Sequence, residues 1–136
     1  MALQEILNQS SVFEEKIITE LAPEVTAEIQ RFEREIERLE RGELDPDDFK
    51  KFRLENGIYG IRGTTDRHMI RIKIRYGCLN ALQLERVAEI TEKYAPNKLA
   101  HVTTRQAIQL HGIKRTDVPT ILRILAESGL TTREAC

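Results

Sequence analysis

Apolar positions along this chain recur at two different periods. From Pro23 onward, Val25, Ile29, Phe32, Ile36 and Leu39 return at spacings of four, three, four and three, with Glu and Arg on the other faces. That spacing predicts an amphipathic helix, opened by Pro23 in its first turn and capped at Gly42. Two heptads fall short of the ~3–4 that mark an independent coiled coil, so the stripe is read as packing on its own domain. Upstream, Ser11-Val12-Phe13-Glu14 has the form of a capping box, and a helix from Val12 to Leu21 is expected after it. Asp45-Pro46-Asp47-Asp48 opens a short helix through Phe49 and Phe52 that stops near Gly57.

The period then changes to two. In residues 68–76, Ile70, Ile72, Ile74 and Tyr76 take one face and Arg71, Lys73 and Arg75 the other, which predicts a strand. Asn80 caps a helix carrying Leu82, Leu84, Val87, Ala88, Ile90 and Tyr94, closed by Pro96. Residues 100–113 predict a second strand whose alternation blurs around Gln106, where a bulge or kink is expected. Asp117-Val118-Pro119 opens a last helix with Ile121, Leu122, Ile124 and Leu125, ended by Gly129. The order strand, helix, strand, helix predicts an α+β unit with two parallel strands and both helices on one face. Two strands make a marginal sheet, so further strands are expected from the 57–67 segment, a second copy of the unit, or more chain.

Charge divides the chain at the same place. Residues 1–50 carry 14 acids and 6 bases, whereas residues 51–136 carry 8 acids and 15 bases. We therefore read 1–50 as an acidic helical extension and 51–136 as the α+β domain, with any anionic partner on the second part. No run of ~18 apolar residues is present and the N-terminus lacks a basic n-region, so no membrane contact and a cytoplasmic location are expected. Cys78 and Cys136 are too far apart for a disulfide framework or a Cys-x-x-Cys site. His68, His101 and His111 lack metal-ligand spacing, and no Gly-Lys-Ser/Thr follows Gly57, Gly60 and Gly63 to make a phosphate loop.

The uncovered sheet face would carry Arg71, Lys73, Arg75, Arg105, Gln109 and His111. Like charges at alternate strand positions repel, and an anion held in arginine forks relieves that cost. A solvated strand face accounts for the same pattern.

The residues also carry a resemblance. Met69-Ile70-Arg71-Ile72-Lys73-Ile74-Arg75-Tyr76-Gly77 resembles the first strand of the ferredoxin-like half-domain of nitrite and sulfite reductases. His101 to Ile113 resembles that family's stretch Thr-x-Arg-Gln-x-x-Gln-x-His, and Asp117-Val118-Pro119, Gly129 to Cys136 and Phe52 to Gly60 continue the likeness. The resemblance implies a ferredoxin-like half-domain in a sirohaem enzyme that reduces nitrite to ammonia or sulfite to sulfide. It implies Arg71 at both substrate and macrocycle. It further implies that Thr103, Arg105, Gln109 and His111, with Lys73, Thr104 and Gln106 as weaker members, hold sirohaem carboxylates.

The family's 4Fe–4S cluster needs four cysteine thiolates, and this chain has two cysteines. Arg75 stands where many members have proline. The chain is thus expected to be the N-terminal piece of such an enzyme, inactive alone and binding neither cofactor stably. It would work with the rest of the reductase and an electron donor, ferredoxin or a flavoprotein, and self-associate when isolated. A second reading is a non-catalytic half-domain holding an anionic metabolite, RNA or a protein partner. RNA readers of this shape stack bases on sheet aromatics, and the basic strand face as read here offers none.

Overall fold

The computed structural model describes residues 16–135. The capping box at Ser11 and the first part of the helix expected from Val12 lie outside them. Residues 16–22 form no helix, which corrects the second part of that expectation. Ala22 then leads into α1 (Pro23–Glu40), which buries Ile29, Phe32 and Ile36. The Glu43 and Gly42 N–H groups return to Arg38 O and Leu39 O, satisfying the last carbonyls. Helix α2 (Pro46–Glu55) starts where the Asp45 side chain accepts from the Asp47 N–H.

Four strands form one sheet in the order β1-β2-β4-β3. They are β1 (Ile58–Gly60), β2 (Arg67–Ile72), β3 (Ala100–Val102) and β4 (Ile108–Lys114). Helix α3 (Ala81–Tyr94) joins β2 to β3, and α4 (Val118–Glu127) follows β4. All neighbouring pairs are antiparallel. The expected parallel pair is therefore corrected. The single strand expected over 100–113 is a hairpin, because Gln106 adopts φ +59° and the chain reverses there. Strand β4 then lies between β2 and β3, which run the same way without touching. The strand in the 57–67 segment is present as β1.

Two further departures sit at strand ends. Strand β2 stops at Ile72, and Arg75–Gly77 is a short 3-10 turn in which Tyr76 takes φ +54°. Tyr76 is 87% exposed, not on the isoleucine face. In β4, the register shifts against His68 and Ile70 of β2. Gly112, at φ +77°, absorbs the extra residue and turns Ile113 back into the core. Gln106 is thus the kink expected there, and a bulge lies six residues on.

Ile70, Ile72, Ile90, Leu110, Ile113, Ile121 and Leu125 form the centre of the core. Phe32 and Ile36 of α1 and Phe49 of α2 belong to the same cluster. Leu84 and Ala88 of α3, placed in its apolar stripe by sequence, are exposed. Charge asymmetry is partly consumed inside the fold, because Glu33 pairs with Arg123 at 3.3 Å, Glu40 approaches Arg115 at 3.9 Å and Glu28 pairs with Arg133. No helix among the described residues is long and apolar enough to cross a membrane.

Candidate functional site

Alternation along β2 decides what the uncovered sheet face carries. His68, Ile70 and Ile72 turn to the core, while Met69 and Arg71 turn the other way and are half-buried. Register places Gln109 of β4 opposite Arg71 and His101 of β3 opposite Gln109. Tyr59 of β1 lies opposite Met69. One row across the sheet thus brings Arg71, Gln109 and His101 side by side, with Tyr59 and His111 flanking it.

The Arg71 guanidinium is held by neutral groups. Its Cζ lies 5.0 Å from the centre of the Tyr59 ring. Nη1 donates to Ala135 O at 3.3 Å. The Gln109 amide has one orientation that suits both of its neighbours. Its oxygen then accepts from Arg71 Nη2 at 3.1 Å and Nε at 3.3 Å, and its nitrogen donates to His111 Nε2 at 3.3 Å. His111 therefore carries its proton on Nδ1. Its ring meets His101 edge-on, with centroids 4.9 Å apart. Burial, and then the neighbouring His101, push the His111 pKa below its ordinary value, so the ring is neutral at pH 7. Among the described residues no carboxylate pairs with Arg71, and the face keeps a fixed positive charge.

The carbonyl of Ala135 reaches Arg71 through a backbone brace. Arg71 N donates to Gly57 O and Glu134 N to Glu55 O. At Gly57, with φ +73°, an added Cβ would stand 2.1 Å from Thr132 O. Only glycine lets the chain after α4 cross this close to β1.

The other sequence-predicted residues are distributed over two loops. Thr103 starts the β3–β4 turn, where its Oγ1 accepts from Arg105 N at 3.3 Å and Ala107 N at 3.2 Å. Thr104, Arg105 and Gln106 are exposed in that turn, so strand alternation does not apply to them. Gln106 packs against Gly77, which seats the turn on the 3-10 segment at the end of β2. Lys73 is exposed, with its N–H donating to Thr131 O at 2.8 Å. It lines a cleft of about 800 Å³ with Arg75, Cys78, Thr131 and Arg133. The structure thus gathers Arg71, Gln109 and His111, gathers Thr103 to Gln106 beside them in chain order, and sets Lys73 at a different cleft.

Sequence reasoning missed Tyr59 and His101. Tyr59 alternates between Ile58 and Gly60, but three residues are too short a strand to set a face without its partner. Its presence corrects the expectation that the basic face lacks an aromatic ring, although Arg71 occupies that ring.

The fold and the face define an α+β module with a guanidinium fixed on an open sheet. Residues 59–128 match the family described as the nitrite/sulfite reductase ferredoxin-like half domain. The chain belongs to that family. It is 38% identical over 76 residues to the ferredoxin–nitrite reductase of Leptolyngbya laminosa, covering 56% of this chain and 15% of that protein. It is 36% identical over 90 residues to the ferredoxin–nitrite reductase of Synechococcus elongatus, covering 65% of this chain and 17% of that protein. The NirA protein of Mycobacterium tuberculosis has the same fold, with a TM-score of 0.62 and 27% identity over 70% of this chain and 20% of that one. This chain therefore spans about a sixth of the length of these curated relatives.

Proposed function

We propose that this half-domain is one lobe of a sirohaem-dependent nitrite or sulfite reductase, with nitrite as the favoured substrate and ferredoxin as the favoured donor. The observation that carries the reading is Arg71, fixed on the open face by Gln109 and Tyr59 with no carboxylate partner among the described residues. Sirohaem is edged with carboxylates, and a guanidinium with unspent donors fits such an edge. Arg71, Gln109 and His111 would hold it from the sheet, and Thr103, Thr104, Arg105 and Gln106 from the adjoining turn, with Lys73 more distant. A 4Fe–4S cluster does not fit this chain, whose two cysteines cannot supply four thiolates. Those ligands would belong to the remainder of the reductase.

When bound, sirohaem would supply the metal centre at which the anion is reduced, with the electrons coming from the donor through the remainder of the reductase. Arg71 draws the anion to the face and offers N–H donors to its oxygens as negative charge builds there. Gln109 holds Nη2 and Nε of the guanidinium, so the remaining donors are aimed before the anion arrives. His111 holds a proton at Nδ1 and is neutral, so it adds no charge beside the Arg71 guanidinium.

The test is Arg71→Lys in the reductase as the cell makes it. Lysine keeps the charge and loses the fork. Nitrite reduction should fall about 100-fold, the scale for one oriented donor. Unchanged turnover would contradict the reading. In isolation the exposed β3 edge, with Val102 83% exposed, should pair with a second copy. A monomeric sedimentation profile at high concentration would contradict that.

A further inference from the structure

At the opposite end of β2 from the β3–β4 turn lies a second group of cations. A cavity of about 320 Å³ is lined by Arg53 of α2, Arg67 and His68 of β2, Arg115 after β4, and Thr64 and Thr65 of the β1–β2 loop. None of these residues takes part in the Arg71 row.

Two buried nitrogens of its lining residues have no hydrogen-bond partner among the described residues: His68 Nδ1 and Arg115 Nε. His68 is 4% exposed. A buried polar atom left unpaired is destabilising, so two beside one cavity point to a missing group. Its chemistry follows from the donors. Arginine Nε only donates, and a neutral histidine nitrogen can donate in the matching tautomer. The missing group is therefore an acceptor.

Its charge follows from the surroundings. Arg53, Arg67 and Arg115 are opposed by Glu40, 3.9 Å from Arg115, and by Asp66 beside His68. Three guanidinium charges face two carboxylates. The His68 pKa is pushed down to about 4, first by burial and then by Arg53 and Arg115, against weaker pulls from the Asp66 backbone and the Asp66 charge. Burial likewise lowers Arg53. The cations are also anchored by backbone and not by loose contacts. Arg53 Nη1 donates to Ile58 O at 3.0 Å, Arg67 Nη1 to Gly112 O at 3.0 Å and Arg115 Nη1 to Thr65 O at 3.3 Å. Each fork thus keeps further N–H donors beyond the one its backbone anchor uses.

We propose that this cavity binds a phosphate or phosphoryl group through Arg53, Arg115 and His68, at a site separate from the reductase face. An oxyanion supplies acceptors to both orphan nitrogens and cancels the excess positive charge. The cavity exceeds one phosphate in size, so a substituted phosphoryl group fits as well as the free ion.

The test is a titration of the isotopically labelled full chain with inorganic phosphate at pH 7, with sodium chloride matching ionic strength. NMR reads the His68 ring nitrogens and the amides of residues 60–68 and 112–116. Saturable shifts confined to these signals are expected. Saturating phosphate should also raise the His68 pKa by about one unit, because binding and protonation are linked. Arg115→Lys should weaken phosphate about tenfold by removing the Nε donor. Arg53→Lys gives a second variant should the first fail to fold. Shifts matched by chloride, or a His68 pKa unmoved by phosphate, would mean that the cavity holds water alone and would overturn the proposal. A phosphate monoester that binds more tightly than inorganic phosphate would support the substituted form of the ligand.

Discussion

Two guanidinium groups of one sheet, Arg71 in β2 and Arg115 just after β4, are treated in opposite ways. Arg71 lies on the open face, with three of its five N–H donors held by an amide oxygen and a carbonyl, the other two free for a ligand, and its Cζ over the Tyr59 ring. Arg115 sits at the helix-covered end with a buried Nε that no group among the described residues accepts, beside a histidine whose Nδ1 is in the same condition. The first arrangement is aimed and stable without a ligand. The second carries a standing cost that a ligand would remove. Positive charge in a fold thus says little until the acceptors around it are counted.

Glycines give the largest contrast between the two places. At Gly57 an added methyl meets backbone, Thr132 O at 2.1 Å, and the φ of +73° is strained for alanine. Gly57→Ala should cost about 3 kcal/mol or more in urea unfolding, from overpacking and strain together. It should also detach the carbonyl of Ala135 from Arg71. At Gly60 the same methyl would meet only Arg53 Nη2, at 2.9 Å, the far end of a flexible side chain. Gly60→Ala should cost less than about 1 kcal/mol and should move Arg53, weakening phosphate while leaving the Arg71 row unchanged. Equal losses at both glycines would break the comparison.

Acid should act through the second region first. His68 has a folded pKa of about 4 against an ordinary 6.5, so the unfolded chain binds its proton more readily. The stability this histidine contributes is complete above about pH 6.5, falls between pH 6.5 and 4, and is level below that range. His68→Gln should flatten this part of the urea-midpoint profile relative to the parent chain. A parallel loss in both would assign the acid sensitivity to carboxylates elsewhere.

Arg71→Met should change stability by only about 1 kcal/mol, since a half-exposed hydrogen-bonded side chain is removed without opening the core. A loss as large as that at Gly57 would make Arg71 a structural residue first. The smallest effect belongs to the surface pairs that join the acidic and basic parts. A double-mutant cycle on Glu33 and Arg123 should give about 0.5 kcal/mol or less.

Much of this molecule was legible in its sequence because the signals were local. The stripe Ile29, Phe32 and Ile36, the helix start at Asp45 and the Asn80 cap all act within one or two turns. The side assigned to Arg71 and Gln109 also followed from alternation alone. Strand direction did not. Gln106 at φ +59° turns one expected strand into a hairpin, and no alternation rule contains that torsion. Tyr59 and His101 reach the site only through cross-strand register. The second cation cavity joins residues from α2, the β1–β2 loop and the end of β4, which no single stretch of sequence brings together.

Whether the Arg71 face works as one lobe of a larger reductase is decided by the protein as the cell makes it. The most direct measurement is the intact mass of the native protein in its source cells, taken with its visible absorption spectrum. The account predicts a species much heavier than 15.7 kDa with sirohaem absorption. A colourless species of 15.7 kDa would contradict it.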